Sequence, residues 1–179
     1  MKTVERTVEG AGGVVTMCSL RAGGGLYGID TRQIWEVLGK TTPQRVPLAP
    51  EYIAGVVPYR GEVLTTVSLR ALLGLAPWDG ANCVLVLEEE EAEERFGLMV
   101  DGVGGVVTMA GNSLEANPSA LDARRAALFD GAFKMKPGLM VRLEPRRLRP
   151  SRLAANELFG TLRNGRREER RDGRQGEQR

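Results

Sequence analysis

Apolar residues along the chain recur mostly at the two-residue period of a β-strand, in short runs separated by Gly and Pro. Val14-Val15-Thr16-Met17-Cys18-Ser19-Leu20 alternates as a half-buried strand, and Leu26-Tyr27-Gly28-Ile29 returns from it across Gly23-Gly24-Gly25, a hairpin with a longer Gly loop. Ile34, Val37 and Leu38 fall at i, i+3, i+4 spacing. With Asp30 or Thr31 as a cap and Gly39 as a stop, they predict a short helix over 32–38, its buried face formed by these three residues and Glu36 near the exposed side. Pro43, Pro47 and Pro50 punctuate an irregular connection in which Val46 reads as the end of a short strand. Residues 52–59 and 62–69 are apolar, β-branched runs around Arg60-Gly61, which predicts a tight hairpin; Pro58 lacks an N–H and belongs at a sheet edge or beside a bulge. One helical turn follows over 70–73, ended at Gly74.

Residues 76–82 read as a loop, and 83–87 as a continuous apolar run of strand length, buried on both faces. Six glutamates occupy the seven positions 88–94; the run lacks the acidic spacing and central Gly of an EF-hand loop and reads as a solvated hairpin loop. Residues 95–100 and 103–109 predict a second hairpin around Asp101-Gly102, similar in pattern to the one at Arg60-Gly61, which suggests equivalent parts of two small barrels. Residues 112–126 read as loop and a short helix, 127–134 and 138–143 as strands, and 144–148 and 151–159 as helical, with Ser151 as an N-cap. Nine or ten short strands with little helix make an all-β barrel or sandwich architecture. Residues 1–13 are expected to be a loose N-terminal arm, and 160–179, almost without apolar residues, a disordered basic tail.

Composition narrows the chemistry. The 179 residues contain no histidine, which removes Ser-His-Asp and Cys-His nucleophile systems, histidine zinc sites and histidine proton shuttles. Cys18 and Cys83 are too few for a disulfide framework or a four-Cys metal site and read as small buried hydrophobes of a cytosolic protein. Residues 1–141 carry 13 Lys/Arg against 17 Asp/Glu, while residues 142–179 carry 12 Arg against 6 acids. A mildly acidic body argues against a nucleic-acid groove. No apolar run approaches the ~18 residues of a membrane span, and residues 1–13 do not have the apolar core of a signal peptide. There is no phosphate loop or dinucleotide fingerprint; Gly102-Val103-Gly104-Gly105 leads into another strand, not a helix. Asp101 is explained by its turn, Ser68 has no histidine partner, and Lys is scarce at four residues. Neither a catalytic set, a cofactor site nor a metal site is expected, and a binding protein is the better class. Arg60, at a hairpin tip, either points into solvent or pairs with a carboxylate, for which Glu36 is one candidate. Trp35 is an interface anchor if exposed, but its pattern favours the core.

Several ordered pieces then carry a resemblance. Tyr27-Gly28-Ile29-Asp30, Ile34-Trp35-Glu36-Val37-Leu38, Val46-Pro47, Pro50-Glu51-Tyr52-Ile53-Ala54-Gly55-Val56, Arg60-Gly61-Glu62-Val63, Leu69-Arg70 and Phe96-Gly97-Leu98-Met99-Val100-Asp101-Gly102-Val103 together resemble the CheW family of chemotaxis coupling proteins, over about residues 14–159. The resemblance implies a domain over 14–159 made of two SH3-like five-stranded β-barrels packed around a shared apolar core. It implies a non-catalytic adaptor that couples transmembrane, methyl-accepting chemoreceptors to a CheA-type histidine kinase in cytoplasmic signal transduction. The receptor's helical hairpin tip docks in a groove between the barrels, and the first barrel makes one contact with the kinase's C-terminal regulatory domain. Carried over by motif, the receptor-binding positions are Ile34, Glu36, Gly55, Arg60, Val103 and Val106. The chain departs from the family at Pro58, where Asn is common, and at Thr65 or Thr66 and Ser68, where Pro and Asp are common; losing that acid threatens to leave an Arg without its partner. An adaptor in a divergent receptor–kinase pathway, such as pilus motility or developmental signalling, is the alternative. The basic tail reads first as a solubilising disordered end, with a weak membrane-surface contact as the lesser alternative.

Overall fold

The computed structural model describes residues 13–78, 80, 82–89 and 94–160. The expected arm (but for Gly13), the expected tail (but for Gly160) and most of the acidic loop lie outside the described residues.

Among the described residues, eleven strands form two sheets: β1 (Val14–Ala22), β2 (Gly25–Asp30), β3 (Ile34–Lys40), β4 (Ile53–Tyr59), β5 (Glu62–Ser68), β6 (Cys83–Glu89), β7 (Glu94–Val100), β8 (Gly102–Ala110), β9 (Leu114–Glu115), β10 (Phe129–Lys134) and β11 (Leu139–Leu143). One sheet is continuous in sequence, in the order β3-β6-β7-β5-β4; the other is split around it, in the order β8-β1-β2-β11-β10-β9, its sixth strand only two residues long. The short helices among the described residues are α1 (Leu69–Leu72), α2 (Ala123–Leu128), α3 (Pro145–Leu148), α4 (Pro150–Ala154) and α5 (Glu157–Gly160). The all-β class with two small barrels holds.

Each sheet curls around its own small interior. In the continuous sheet, Val57, Tyr59, Leu64 and Val86 pack together with Leu38. Leu38 comes from one edge strand and Tyr59 from the other, so the sheet closes on itself. Gly97 faces this interior because a Cβ there would lie 2.7 Å from both Thr66 and Val84. In the split sheet, Met17, Phe133 and Met140 pack with Val107, Met109 and Leu114 from its two edges. Between the barrels lies the shared core, which includes Leu20, Ile29, Leu69, Leu85, Leu87, Phe96, Leu98 and Leu143. This layering accounts for the unbroken apolar run of β6. Leu85 and Leu87 face the shared core and Val86 faces the barrel interior, so both faces are buried.

Several sequence expectations are met. The Arg60-Gly61 hairpin forms, Pro58 is exposed on the edge strand β4, and α1 ends at Gly74 with φ +70°. Others are corrected. Residues 32–38 are not a helix: a 3-10 turn (Thr31–Gln33) leads directly into β3. The helix-like spacing comes from a β-bulge between Ile34 and Glu36, which breaks the two-residue alternation. Val37, assigned to a buried helix face, is therefore exposed, and Trp35, assigned to the core, is 57% exposed. Asp101-Gly102 is not a hairpin turn: β7 pairs with β6 in one sheet and β8 with β1 in the other, so the chain changes barrels there and the likeness to the Arg60-Gly61 hairpin is not structural equivalence. The first hairpin turns on Gly23-Gly24 alone, both at positive φ, with Gly25 already in β2. Residues 127 and 128 close α2 rather than open a strand. Ser151 lies inside α4, whose N-cap is Arg149, and its hydroxyl and backbone N–H instead bond the Glu94 carboxylate.

Val46 begins a turn rather than ending a strand. The Ala49 N–H donates to the Val46 carbonyl at 3.3 Å, with Pro47 at the second position and Leu48 at the third with φ +65°. That is the arrangement of a type II turn, whose third position favours Gly. A left-handed Leu costs about 1–2 kcal/mol, and this one is 80% exposed, with little packing to offset the cost. Leu48→Gly is expected to raise stability by about 0.5–1 kcal/mol after the extra chain entropy of Gly is counted, read as a higher denaturant midpoint at unchanged slope.

Candidate functional site

The edge strands β3 and β8 border the shared core where it meets solvent, and both are bulged. In β3, Ile34 pairs with Leu87 and Val37 with Leu85. In β8, Val103 pairs with Leu20 and Val106 with Cys18. Leu85, Leu87, Leu20 and Cys18 all belong to the shared core. Residues directly paired across strands project to the same face, so Ile34, Val37, Val103 and Val106 all point to the inter-barrel face. The members of each pair lie three positions apart, odd spacing that an unbulged strand would send to opposite faces. Ile34 and Val103 pack against the shared core as partly buried side chains, while Val106 is 62% exposed. These four side chains, two from each barrel, are the apolar residues of the inter-barrel face on β3 and β8, termed the margin below.

Gly residues shape the β8 side. Ser19 sits in the bulge and donates its hydroxyl to the Gly105 carbonyl at 2.7 Å, and a Cβ at Gly104 would lie 2.4 Å from that hydroxyl. A Cβ at Gly105 meets nothing within 4 Å.

Polar groups are set beside the margin by the closure of the continuous barrel. Glu36 on β3 accepts a hydrogen bond from the Tyr59 hydroxyl at 2.8 Å and an ion-pair contact from Arg60 Nη2 at 2.9 Å. The tyrosine bond and then the arginine bond hold the Glu36 carboxyl below the usual glutamate range. Burial and then the bond to Glu36 push the Tyr59 hydroxyl above its usual value. The Arg60 guanidinium lies 5.3 Å from the centre of the Tyr59 ring, and Arg95 lies 5.4 Å from that of Trp35. Arg60 also stands in a strained place: it and Gly61 have φ of +49° and +84°, the type I′ pattern that favours Asn, Asp or Gly.

Of the residues proposed from sequence, Ile34, Val103 and Val106 share the inter-barrel face, and Glu36 and Arg60 pair with each other. Gly55 is explained by the fold. It lies in β4 with φ +144°, where a Cβ would be 2.2 Å from the Gln44 carbonyl oxygen, and Gln44 and Val56 exchange two backbone hydrogen bonds of 2.8 Å beside it. Val37 is the margin residue that sequence reasoning missed; the i, i+3 apolar spacing common to both bulged strands was the available signal. The departures from the family pattern are accommodated. Ser68 caps α1 through the Ala71 N–H, Thr66 donates to the Gly55 carbonyl, and Arg70 pairs with Asp101 at 2.6 Å.

Cys18 and Cys83 are free thiols, and burial raises the pKa of Cys18. Among the described residues no group of three or more Cys, Asp or Glu is placed to hold a metal ion, and no helix is long and apolar enough to cross a membrane.

Comparison with known proteins adds a family. Residues 16–151 match the model of the CheW-like domain. The chain is 26% identical over 102 residues to the probable chemotaxis protein CheW of Rhizobium etli, which covers 57% of this chain and 66% of that protein. It is 30% identical over 95 residues to the chemotaxis protein CheW of Klebsiella aerogenes, covering 51% and 55%. The matches thus span two thirds or less of these relatives. The crystal structure of the scaffolding protein TtCheW from Thermoanaerobacter tengcongensis superposes with a TM-score of 0.65 at 22% identity, over 73% of this chain and 88% of that one, a likeness of fold.

Proposed function

The chain belongs to the CheW-like domain family, and on that premise we propose that it is a non-catalytic adaptor that couples chemoreceptors to a CheA-type histidine kinase on the cytoplasmic side of the membrane. Residues 14–159 are the coupling domain. The receptor's helical hairpin tip lies along the inter-barrel margin, on Ile34, Val103 and Val106, with Glu36 and Arg60 at its polar end. An α-helical tip is read by apolar anchors at helical spacing, and the inter-barrel face offers apolar side chains from a strand of each barrel for them. The charged pair sets register more than affinity. A contact of this size is weak by itself because ordering offsets much of the apolar gain, and many copies side by side raise its avidity.

The observation that carries this reading is the placement of Arg60. Its left-handed backbone costs about 1–2 kcal/mol, while an exposed ion pair returns about 0–1 kcal/mol; the side chain of Arg60 is 62% exposed. Folding alone would favour Asn or Gly at this turn, so the strain at Arg60 points to a role for its guanidinium at the surface. Arg60→Asn is expected to leave stability equal or higher and to weaken binding of a receptor hairpin-tip fragment about five- to tenfold, measured by calorimetry. Unchanged affinity would remove Arg60 from the receptor site.

A further inference from the structure

The chain changes barrels at Asp101, and this residue binds both of them. Its Oδ2 accepts from the Gly23 backbone N–H at 2.8 Å and from Arg70 Nη1 at 2.6 Å, and its own N–H donates to the Arg21 carbonyl at 3.0 Å. Arg21 and Gly23 belong to the β1–β2 hairpin of the split barrel, and Arg70 lies in α1 of the continuous barrel. Arg70 is itself fixed: Nε donates to the Ala76 carbonyl at 2.7 Å, and the guanidinium lies 5.4 Å from the centre of the Trp78 ring. The two side chains are only 14% and 15% exposed, unlike the surface pair of Arg60 and Glu36. One carboxylate therefore ties a hairpin of one barrel to a helix of the other.

The tie sits at the root of the margin. β8 begins at the next residue, where Gly102 pairs with Arg21 and Val103 with Leu20. We propose that Asp101 and Arg70 are positioning residues for the receptor site: their ion pair sets where β8, with Val103 and Val106, stands relative to the barrel that carries Ile34 and Glu36. This rests on the reading of the inter-barrel margin as the receptor site. A partly desolvated, multiply bonded ion pair holds geometry better than a solvated one, because breaking it leaves a charge without its partner. The backbone bonds of Asp101 register β8 on the hairpin, and the Arg70 bond registers both on α1.

The test uses the full chain with Cys18 and Cys83 replaced by alanine and nitroxides at positions 63 and 139, exposed sites in the continuous and split sheets. Asp101→Asn keeps an acceptor for Gly23 and removes the charge; Arg70→Lys keeps the charge and loses the bond to Ala76. Both are expected to broaden the inter-label distance distribution and to weaken receptor-fragment binding, about tenfold for Asp101→Asn and less for Arg70→Lys. If Asp101→Asn does not fold, Arg70→Lys carries the test. An unchanged distance distribution in the folded variants overturns the proposal, whatever happens to binding. Broadening with unchanged binding overturns the link to the site. Failure of the underlying reading shows separately, as full receptor binding by the Ile34→Asp variant.

Discussion

Gly55→Ala is expected to cost about 3 kcal/mol or more of folding stability. The backbone there has φ +144°, where a side chain is strained, and the added Cβ would sit 2.2 Å from a backbone oxygen that cannot swing away. That oxygen belongs to Gln44, which is tied to Val56 by two hydrogen bonds. Relieving the clash means breaking one or both, at about 1 kcal/mol each, on top of about 1–3 kcal/mol of backbone strain. The Thr66 hydroxyl, fully buried, also bonds the Gly55 carbonyl and would lose its alignment. The measurement is a denaturant midpoint. A midpoint equal to that of the parent would contradict this account of Gly55. The expectation matters for function as well, because lost receptor binding in such a variant would report an unfolded edge and not a missing contact.

Ile34→Asp is expected to weaken receptor-fragment binding about a hundredfold, or about 2–3 kcal/mol. The change removes the apolar side chain that joins the shared core to the margin and puts a charge where a partner's apolar residue would lie. It also lowers stability by about 1–2 kcal/mol through lost burial, so a second variant separates the two effects. Val106→Asp puts a charge on the margin at a side chain that is 62% exposed, where little burial is lost. A comparable loss of binding with an almost unchanged melting temperature is expected from it. Full binding by Val106→Asp would place the partner away from β8.

Features written in short stretches were legible in the sequence. An X-Gly pair between β-branched runs is enough to make the Arg60 hairpin, because the turn and its flanking strands are one local unit. The run over 83–87 announces burial on both faces because a strand between two apolar layers has no polar face to show. A charged Arg60 at a hairpin tip either points into solvent or pairs with a carboxylate, Glu36 being one candidate, and the pair forms. Features set by distant pairing were not legible. Asp101-Gly102 has good hairpin chemistry, yet whether two strands pair depends on what else competes for their edges, and β1 takes β8. The bulge in β3 disguised a strand as a helix, since one extra residue turns alternation into i, i+3 spacing. The same disguise hid Val37 from the candidate site and misplaced Trp35, whose exposure depends on which edge of which sheet its strand occupies.

The central claim is that the inter-barrel margin is where a receptor's helical tip binds. Titrating the isotopically labelled full chain with a receptor hairpin-tip fragment, and following backbone amide resonances, tests it most directly. The largest changes are expected to cluster on β3 and β8, at Ile34, Val37, Val103 and Val106, with Arg60 shifting beside them. Changes confined to α3–α5 or to the β9–β10 edge, with β3 and β8 silent, would contradict it.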